Sequence, residues 1–263
     1  MPQRMTWNAL PDAVHISSYR IRGTETDPDG LLSPAILFSM MQETASYSAA
    51  ALGLPAEVMD ERGLCWMLSR VSLQMQEWPQ WGDVIQIASW PRQIDRLYYR
   101  REYLLATADH QPLGSATSDW FLADVVSRRA QRPSVMEDLN ANFTQVTERA
   151  LADDALKIRA GQVGELLRDV IYETRWSDLD RNGHVNNTHY VTWGYNALRE
   201  LDLVRKPPTE IHINFQQELR AGQTVQVQVY EDSKQIDETT ETKHYLLQGL
   251  HDESVCFRSI MTF

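Results

Sequence analysis

Asp180, Asn182 and His184 lie within five residues of one another in DLDRNGHVNNTHYVTWGYNAL, residues 178–198. Asn186 and Asn187 come next, followed by an apolar, helix-compatible run. The start of a helix offers unpaired N–H groups and a partial positive charge. Such a terminus can stabilise an oxyanion developing on a carbonyl. A nearby carboxylate can activate water or attack directly. A thiolate leaves more readily than an alkoxide, so a thioester asks less of a proton donor than an ester or amide. The chemistry that fits is acyl transfer to water, carried by a carboxylate, an amide and an imidazole.

Each residue also has a plain structural reading. Asn182-Gly183 is a strong turn dipeptide, because both residues tolerate positive φ. Asp180 can close an Asx-turn, and Asn186 or Asn187 can cap the helix. A single glutamate such as Glu218 on a strand can simply face solvent. Only the set, beside one helix start, speaks for catalysis.

The elements that hold these residues are written twice. RVSLQMQEWPQWGDVIQI (70–87) aligns with EIHINFQQELRAGQTVQV (210–227) at an offset of 140. Val71, Leu73 and Met75 then face Ile211, Ile213 and Phe215, and Gly82 faces Gly222. Both copies alternate with period two on either side of a Gly-containing turn, which predicts paired antiparallel strands. DPDGLLSPAILFSMM (27–41) aligns with DRNGHVNNTHYVTWG (180–194) at an offset of 153. Asp27 faces Asp180 and Gly30 faces Gly183, but Leu31 faces His184 and Asp29 faces Asn182. Trp78 faces Glu218. The second copy therefore carries polar groups that the turn does not require, whereas Asp180 keeps a counterpart in the first.

Helices are expected over about 32–52 and 187–201, the first opened by Ser33-Pro34 as cap and first helical residue. Strands are expected near 13–23, 64–78, 83–92, 96–107 and 113–127, and again near 168–177, 208–219, 223–232, 240–249 and 254–263. One helix per run of strands predicts an α+β class, not βαβ units. The domains are expected at 1–133 and 163–263, with 134–162 as a linker carrying short helical pieces.

Composition narrows the function. The net charge of −11 opposes nonspecific nucleic-acid binding. Residues 1–133 hold twelve arginines, no lysine and fifteen carboxylates, whereas 134–263 hold thirteen basic and twenty-one acidic residues, so the formal charges are −3 and −8. Arginines cluster locally at Arg96, Arg100 and Arg101 and at Arg128, Arg129 and Arg132. They read as solvated faces or as a docking patch for an acidic partner. Cys65 and Cys256 are far apart and lack metal spacing, so neither a metal nor a disulfide framework is expected. P-loop and G-x-S-x-G signals are absent, and no cofactor is expected. No apolar run reaches membrane-spanning length and the start lacks a secretory h-region, so a soluble cytoplasmic protein is expected.

With the motifs in view, DLDRNGHVNNTHYVTW resembles the D-x-N-x-H-V-N-N-x-x-Y-x-x-W signature of the acyl-ACP thioesterases, the FatA/FatB type of plants and their bacterial relatives. INFQQELRAG, PQWGDVIQIASWP and LFSMMQETASYSAAALGL resemble further segments of that family. The resemblance implies two tandem hotdog folds, each a long helix wrapped by an antiparallel sheet. It implies hydrolysis of fatty acyl-acyl carrier protein, with Asp180, Asn182, His184 and Glu218 as the catalytic set. The plant enzymes have a Cys directly after the Glu; here that position is Leu219, which removes a Cys nucleophile there. With no plastid transit peptide, a bacterial cytosolic enzyme is expected.

The partner so implied is an acyl carrier protein bearing a 4'-phosphopantetheine-linked chain, with the arginine clusters as docking candidates. Asp180 or Glu218 is expected to activate water or attack directly, with Glu218 the favoured base and Asn182 and His184 positioning the water, the carboxylates and the carbonyl. The first domain is expected to have lost catalysis and to bind the acyl chain, with Met40, Met41, Trp66 and Met67 as tunnel candidates. Competing readings are an acyl-CoA thioesterase, a hotdog hydratase and a non-catalytic acyl-binding protein. Exposed sheet edges make a homodimer a possibility to test.

Overall fold

A computed structural model describes residues 4–136, 146–159, 164–202, 204–231 and 242–263. They form two compact units, Met1–Leu32 with Leu37–Ala155, and Leu156–Phe263 with Ser33–Ile36. The first contains β1 (His15–Arg20), α1 (Pro34–Ala51) from Leu37 onward, α2 (Ala56–Glu61), β2 (Leu64–Met75), β3 (Val84–Asp95), β4 (Tyr98–Thr107) and β5 (Pro112–Asp124). Its strands run antiparallel in the order β1-β3-β4-β5-β2. The second contains β6 (Leu166–Glu173), α3 (Asn187–Arg199), β7 (Glu210–Phe215), β8 (Thr224–Glu231), β9 (His244–His251) and β10 (Ser254–Thr262). Its antiparallel order is β7-β10-β9-β8-β6.

All ten expected strands form, because their alternation gives each a face to bury. The helix α1 opens on Pro34, where a missing N–H costs nothing. The phenol of Tyr19 on β1 donates to the Met40 carbonyl of α1 at 3.1 Å. At the offset of 153 residues, Tyr172 on β6 donates to the Trp193 carbonyl of α3 at 3.5 Å. The helix α2 was not foreseen; its six residues are too few for a periodic signal.

Of the stretch expected as a linker, 137–145 and 160–162 lie outside the described residues. Val146, Ala150, Leu151 and Ala155 are buried. Val146 and Ala150 join a cluster with Met5, Trp90 and Leu104. A chain of buried charge fixes this strap. Arg92 pairs with Glu102 at 2.7 Å and with Asp154 at 2.5 Å, and Glu102 also accepts from the Ala150 N–H at 3.0 Å. Burial pushes the Glu102 carboxyl above its usual range, against the pull of the Ala150 N–H and of Arg92. A buried charge is tolerated only with partners such as these.

In the second unit Gly249 admits Phe257. A Cβ there would lie 2.2 Å from the Phe257 ring. The Phe257 ring in turn meets Tyr190 of α3 edge-on at 5.6 Å. Close packing of ring on backbone thus seats α3 against the sheet.

Candidate functional site

The same turn is built in both units, and its main bonds recur. Asp27 Oδ1 accepts from the N–H of Asp29 at 3.0 Å and of Leu31 at 3.1 Å. Asp180 Oδ1 accepts from the N–H of Asn182 at 2.7 Å and of His184 at 3.4 Å. The Asp27 N–H donates to the Leu31 carbonyl and the Asp180 N–H to the His184 carbonyl, both at 2.8 Å. Gly30 and Gly183 take φ of 81° and 74°, a left-handed conformation that glycine enters without a Cβ penalty. The turn then zips to the far strand: Leu32 N–H meets the Pro79 carbonyl at 2.7 Å, and Val185 N–H meets the Leu219 carbonyl at 2.8 Å. The two repeat offsets, 153 and 140, meet in this one contact.

A second corner is also duplicated. The Gln76 and Glu77 N–H groups share the Leu113 carbonyl, and those of Gln216 and Gln217 share the Cys256 carbonyl. Cys256 lies in the bulge of β10 between Val255 and Phe257. A bulge re-aims the chain beside it, and here the corner it grips leads directly into Glu218.

On this common frame the second unit brings His184 and Glu218 together, Nε2 to Oε2 at 3.5 Å, with side chains 12% and 32% exposed. His184 Nδ1 is buried without a hydrogen-bond partner among the described residues. The exposed Asn182 amide donates to Asp180 Oδ2 at 3.4 Å. Asp180 therefore does in its turn what Asp27 does in the first, and holds Asn182 besides. The Asn186 side chain caps α3, accepting from the Thr188 N–H at 3.0 Å and its hydroxyl at 2.9 Å. The Asn186 N–H goes to the Asp178 carbonyl. Asn187 opens the helix, and its N–H has no partner among the described residues.

Tyr190 is a member that residue-type reasoning passed over. It is buried, and its phenol donates to the Gln217 carbonyl at 3.2 Å, one residue before Glu218. Burial pushes its pKa far up, assisted by Cys256, Glu218 and Asp180, so the phenol remains a donor. Leu37 stands at the matching position of the first unit. The comparison that singled out His184 would therefore have found Tyr190 too. Cys256 is not a nucleophile of this site: burial pushes its thiol up to about 11, which keeps it protonated and inert.

The arginine clusters divide. Arg96, Arg129 and Arg132 are exposed. Arg128 is half-buried, with Nη1 at 3.3 Å from the Cys65 sulfur. Arg100 is occupied by Asp95 at 2.7 Å and Asp154 at 2.5 Å. Arg101 is 9% exposed and donates to Ser89 Oγ at 3.0 Å. Arg100 and Arg101, on opposite faces of β4, are thus both engaged by groups of the first unit. Among the tunnel candidates, Trp66 lines a cavity of about 70 Å³ in the first unit. Met40 and Met41 are buried elsewhere on α1, and Met67 is half-buried away from that cavity. Among the described residues no three His, Cys, Asp or Glu converge as a metal site, and no helix is long and apolar enough to cross a membrane.

Residues 12–143 match the family model described as the acyl-ACP thioesterase N-terminal domain, and residues 167–259 match that of its C-terminal domain. The chain is 28% identical over 191 residues to the chloroplastic palmitoyl-acyl carrier protein thioesterase of Gossypium hirsutum, covering 68% of this chain and 46% of that one. It is 26% identical over 196 residues to the chloroplastic dodecanoyl-[acyl-carrier-protein] hydrolase of Umbellularia californica, covering 69% and 50%. The chain thus spans about half the length of these curated relatives. Among solved structures, the putative oleoyl thioesterase of Lactobacillus plantarum has a TM-score of 0.79 at 21% identity, covering 95% of each chain. The 12:0-ACP thioesterase of Umbellularia californica has 0.80 at 22%, covering 95% and 93%. At these identities the likeness establishes the fold: two tandem hotdogs, each a helix against an antiparallel sheet.

Proposed function

Since the chain belongs to the acyl-ACP thioesterase family, we propose that it hydrolyses the thioester of fatty acyl-acyl carrier protein, releasing the fatty acid and the carrier thiol. The observation that carries this reading is the His184–Glu218 pair, mounted on a frame whose duplicate has Leu31 and Trp78 in their places. In this reading the second unit is catalytic and the first receives the acyl chain.

Glu218 takes a proton from water as it attacks the thioester carbonyl. His184, with Nε2 toward Glu218, orients that carboxylate and the water. Asn182, held by Asp180, contributes an amide to position the reacting groups. The Asn187 N–H and the positive end of α3 supply the oxyanion donors. The Asn186 side chain serves as the cap that leaves the Asn187 N–H available. The thiolate departs with little need of a strong acid, as its ordinary pKa of about 8.5 implies. The exposed Arg96, Arg129 and Arg132, not Arg100 or Arg101, are the candidates for meeting an acidic carrier.

A thiol-release assay on matched acyl-carrier and acyl-CoA substrates tests this. Glu218→Ala and His184→Ala should each lower kcat by about 10²–10⁴-fold, the range for a positioned proton-transfer group. Asp180→Asn should lower it less, since its Oδ1 can still hold the turn. Full activity in all three variants would overturn the site. Faster turnover of the CoA substrate would reassign the carrier and leave the chemistry.

A further inference from the structure

The subtraction that singles out His184 extends to the surface around it. At the offset of 153 residues, Arg175 stands opposite Arg22, Trp176 opposite Gly23 and Arg181 opposite Pro28. At the offset of 140, Arg220 stands opposite Gln80. Arg175, Arg181 and Arg220 are exposed, and Trp176 is 84% exposed. All four belong to the turns that hold Asp180 and Glu218 or to the stretch leading into them. Thr174 Oγ1 donates to the Arg220 carbonyl at 2.5 Å, which seats Arg175 beside that turn. The bond from the Val185 N–H to the Leu219 carbonyl ties the same turn to the one that carries Arg181.

Two small changes release these side chains. In the first unit Glu25 takes both the Arg22 N–H, at 2.8 Å, and its guanidinium, Nε at 2.9 Å. Asp178 is one methylene shorter and accepts the Arg175 N–H at 2.8 Å. Among the described residues no carboxylate pairs with the Arg175 guanidinium. The first unit also exposes an indole, Trp81, but a Cβ on Gly23 would lie 3.5 Å from its ring, so Trp81 rests on that corner. In the second unit Ala221 replaces Trp81, and the indole is carried by Trp176 into solvent. The carboxylates of these turns are engaged within them: Asp178 and Asp180 by backbone N–H groups, Glu218 by His184. Glu173 and Asp252 are the exposed carboxylates that border the set, Asp252 at 3.4 Å from His251.

A chain of net charge −11 repels an acidic partner at a distance, so attraction must come from cations placed where the two meet. A carrier whose arm brings a thioester to Glu218 is tethered to the surface around that residue. Arginine and tryptophan are the side chains that dominate binding at protein interfaces, and arginine grips carboxylates with two N–H groups.

We propose that the rim formed by Arg175, Trp176, Arg181 and Arg220 is the surface on which the acidic carrier docks, with the arginines on its carboxylates and Trp176 as the apolar anchor. The inference rests on the reading of the chain as an acyl-carrier thioesterase with its site at Glu218. It puts a docking surface on the unit that carries the site, and ranks it above Arg96, Arg129 and Arg132 of the first.

Thiol release is compared on three substrates with one acyl group: the acyl-carrier, acyl-CoA, and acyl-pantetheine, which has neither phosphate nor protein. Arg175→Glu, Arg181→Glu and Arg220→Glu should each lower kcat/KM for the acyl-carrier at least about tenfold at low salt, through KM. Trp176→Ala should lower it at least about fivefold. All four should leave acyl-pantetheine within about twofold, which also shows that they are folded. Sodium chloride at about 0.5 M should remove most of the arginine effects. Arg129→Glu and Arg132→Glu should cost less. Unchanged kinetics on the carrier, or a larger loss from Arg129→Glu or Arg132→Glu, would overturn the proposal. So would an equal loss on acyl-CoA, which makes the rim a phosphate site, or on acyl-pantetheine, which puts these residues in the chemistry. Calorimetry with a carrier whose acyl chain is joined by an amide separates the two readings. Rim-dependent binding by a chain that releases no thiol from any of the three substrates would overturn the proposed function alone.

Discussion

Replacing Tyr190 with Phe isolates one bond of the site. The ring sits among Trp193, Phe215 and Phe257 at centroid distances of 5.3, 5.8 and 5.6 Å, and phenylalanine keeps all three contacts. What is lost is the 3.2 Å bond from the phenol to the Gln217 carbonyl. A typical intramolecular hydrogen bond is worth about 1 kcal/mol net. The melting temperature should fall by roughly 2–4 °C, the shift expected for that energy in a chain of this size. The corner that carries Glu218 is not set free, because the Gln216 and Gln217 N–H groups remain on the Cys256 carbonyl. About 1 kcal/mol is therefore the most the corner can lose in favour of misaligned positions, which bounds the fall in kcat at about fivefold. KM should not move, since no binding contact changes. Steady-state thiol release at saturating substrate, with a melting curve on the same preparation, measures both. A fall in kcat well beyond that bound would refute the reasoning, and a lower melting temperature with unchanged kcat would leave Tyr190 as core packing. A rise in KM at constant kcat would place it in substrate binding.

Further outcomes follow from the buried groups. Iodoacetamide should leave both thiols of the folded chain unmodified and activity intact, because Cys65 and Cys256 are buried and Cys256 titrates at about 11; rapid inactivation would contradict this. Arg92→Met should cost about 3–5 kcal/mol in denaturant unfolding by stranding Glu102 without its cation, and a loss under ~1 kcal/mol would mean Asp154 and Glu102 repartner freely. Alkaline pH should destabilise the fold. Cys256 at about 11 and Tyr99 and Tyr172 at about 12 are all raised by burial, so their stabilisation is whole below their ordinary pKa values of about 8.5 and 10. It is lost as pH rises through the raised values. A denaturation midpoint that stays flat across that window would refute the assignment.

The strands were legible because alternation survives in any half-buried sheet, and the two turns because Asp and Gly recur at a fixed offset. His184 and Glu218 were legible as departures from that repeat. The buried arginines were not. Charge in a sequence reads as surface, and only the fold brings Asp154 to Arg92, 62 residues away in the chain, and to Arg100, 54 residues away. The strap at 146–155 was equally hidden, since four small or apolar residues in an acidic stretch give no period. Tyr190 was visible opposite Leu37, yet a tyrosine in an apolar helix reads as core, and its phenol matters only once Gln217 lies beneath it.

The turn built twice gives the molecule its own reference standard. The Leu31 and His184 amides make the same bond to the same kind of carboxylate oxygen, in one chain, at one temperature, in one solvent. The difference between their hydrogen-exchange rates reports what the polar side chains cost their local frame. Few proteins offer such a blank. Here what the polar set costs its turn can be read by subtracting one half of the protein from the other.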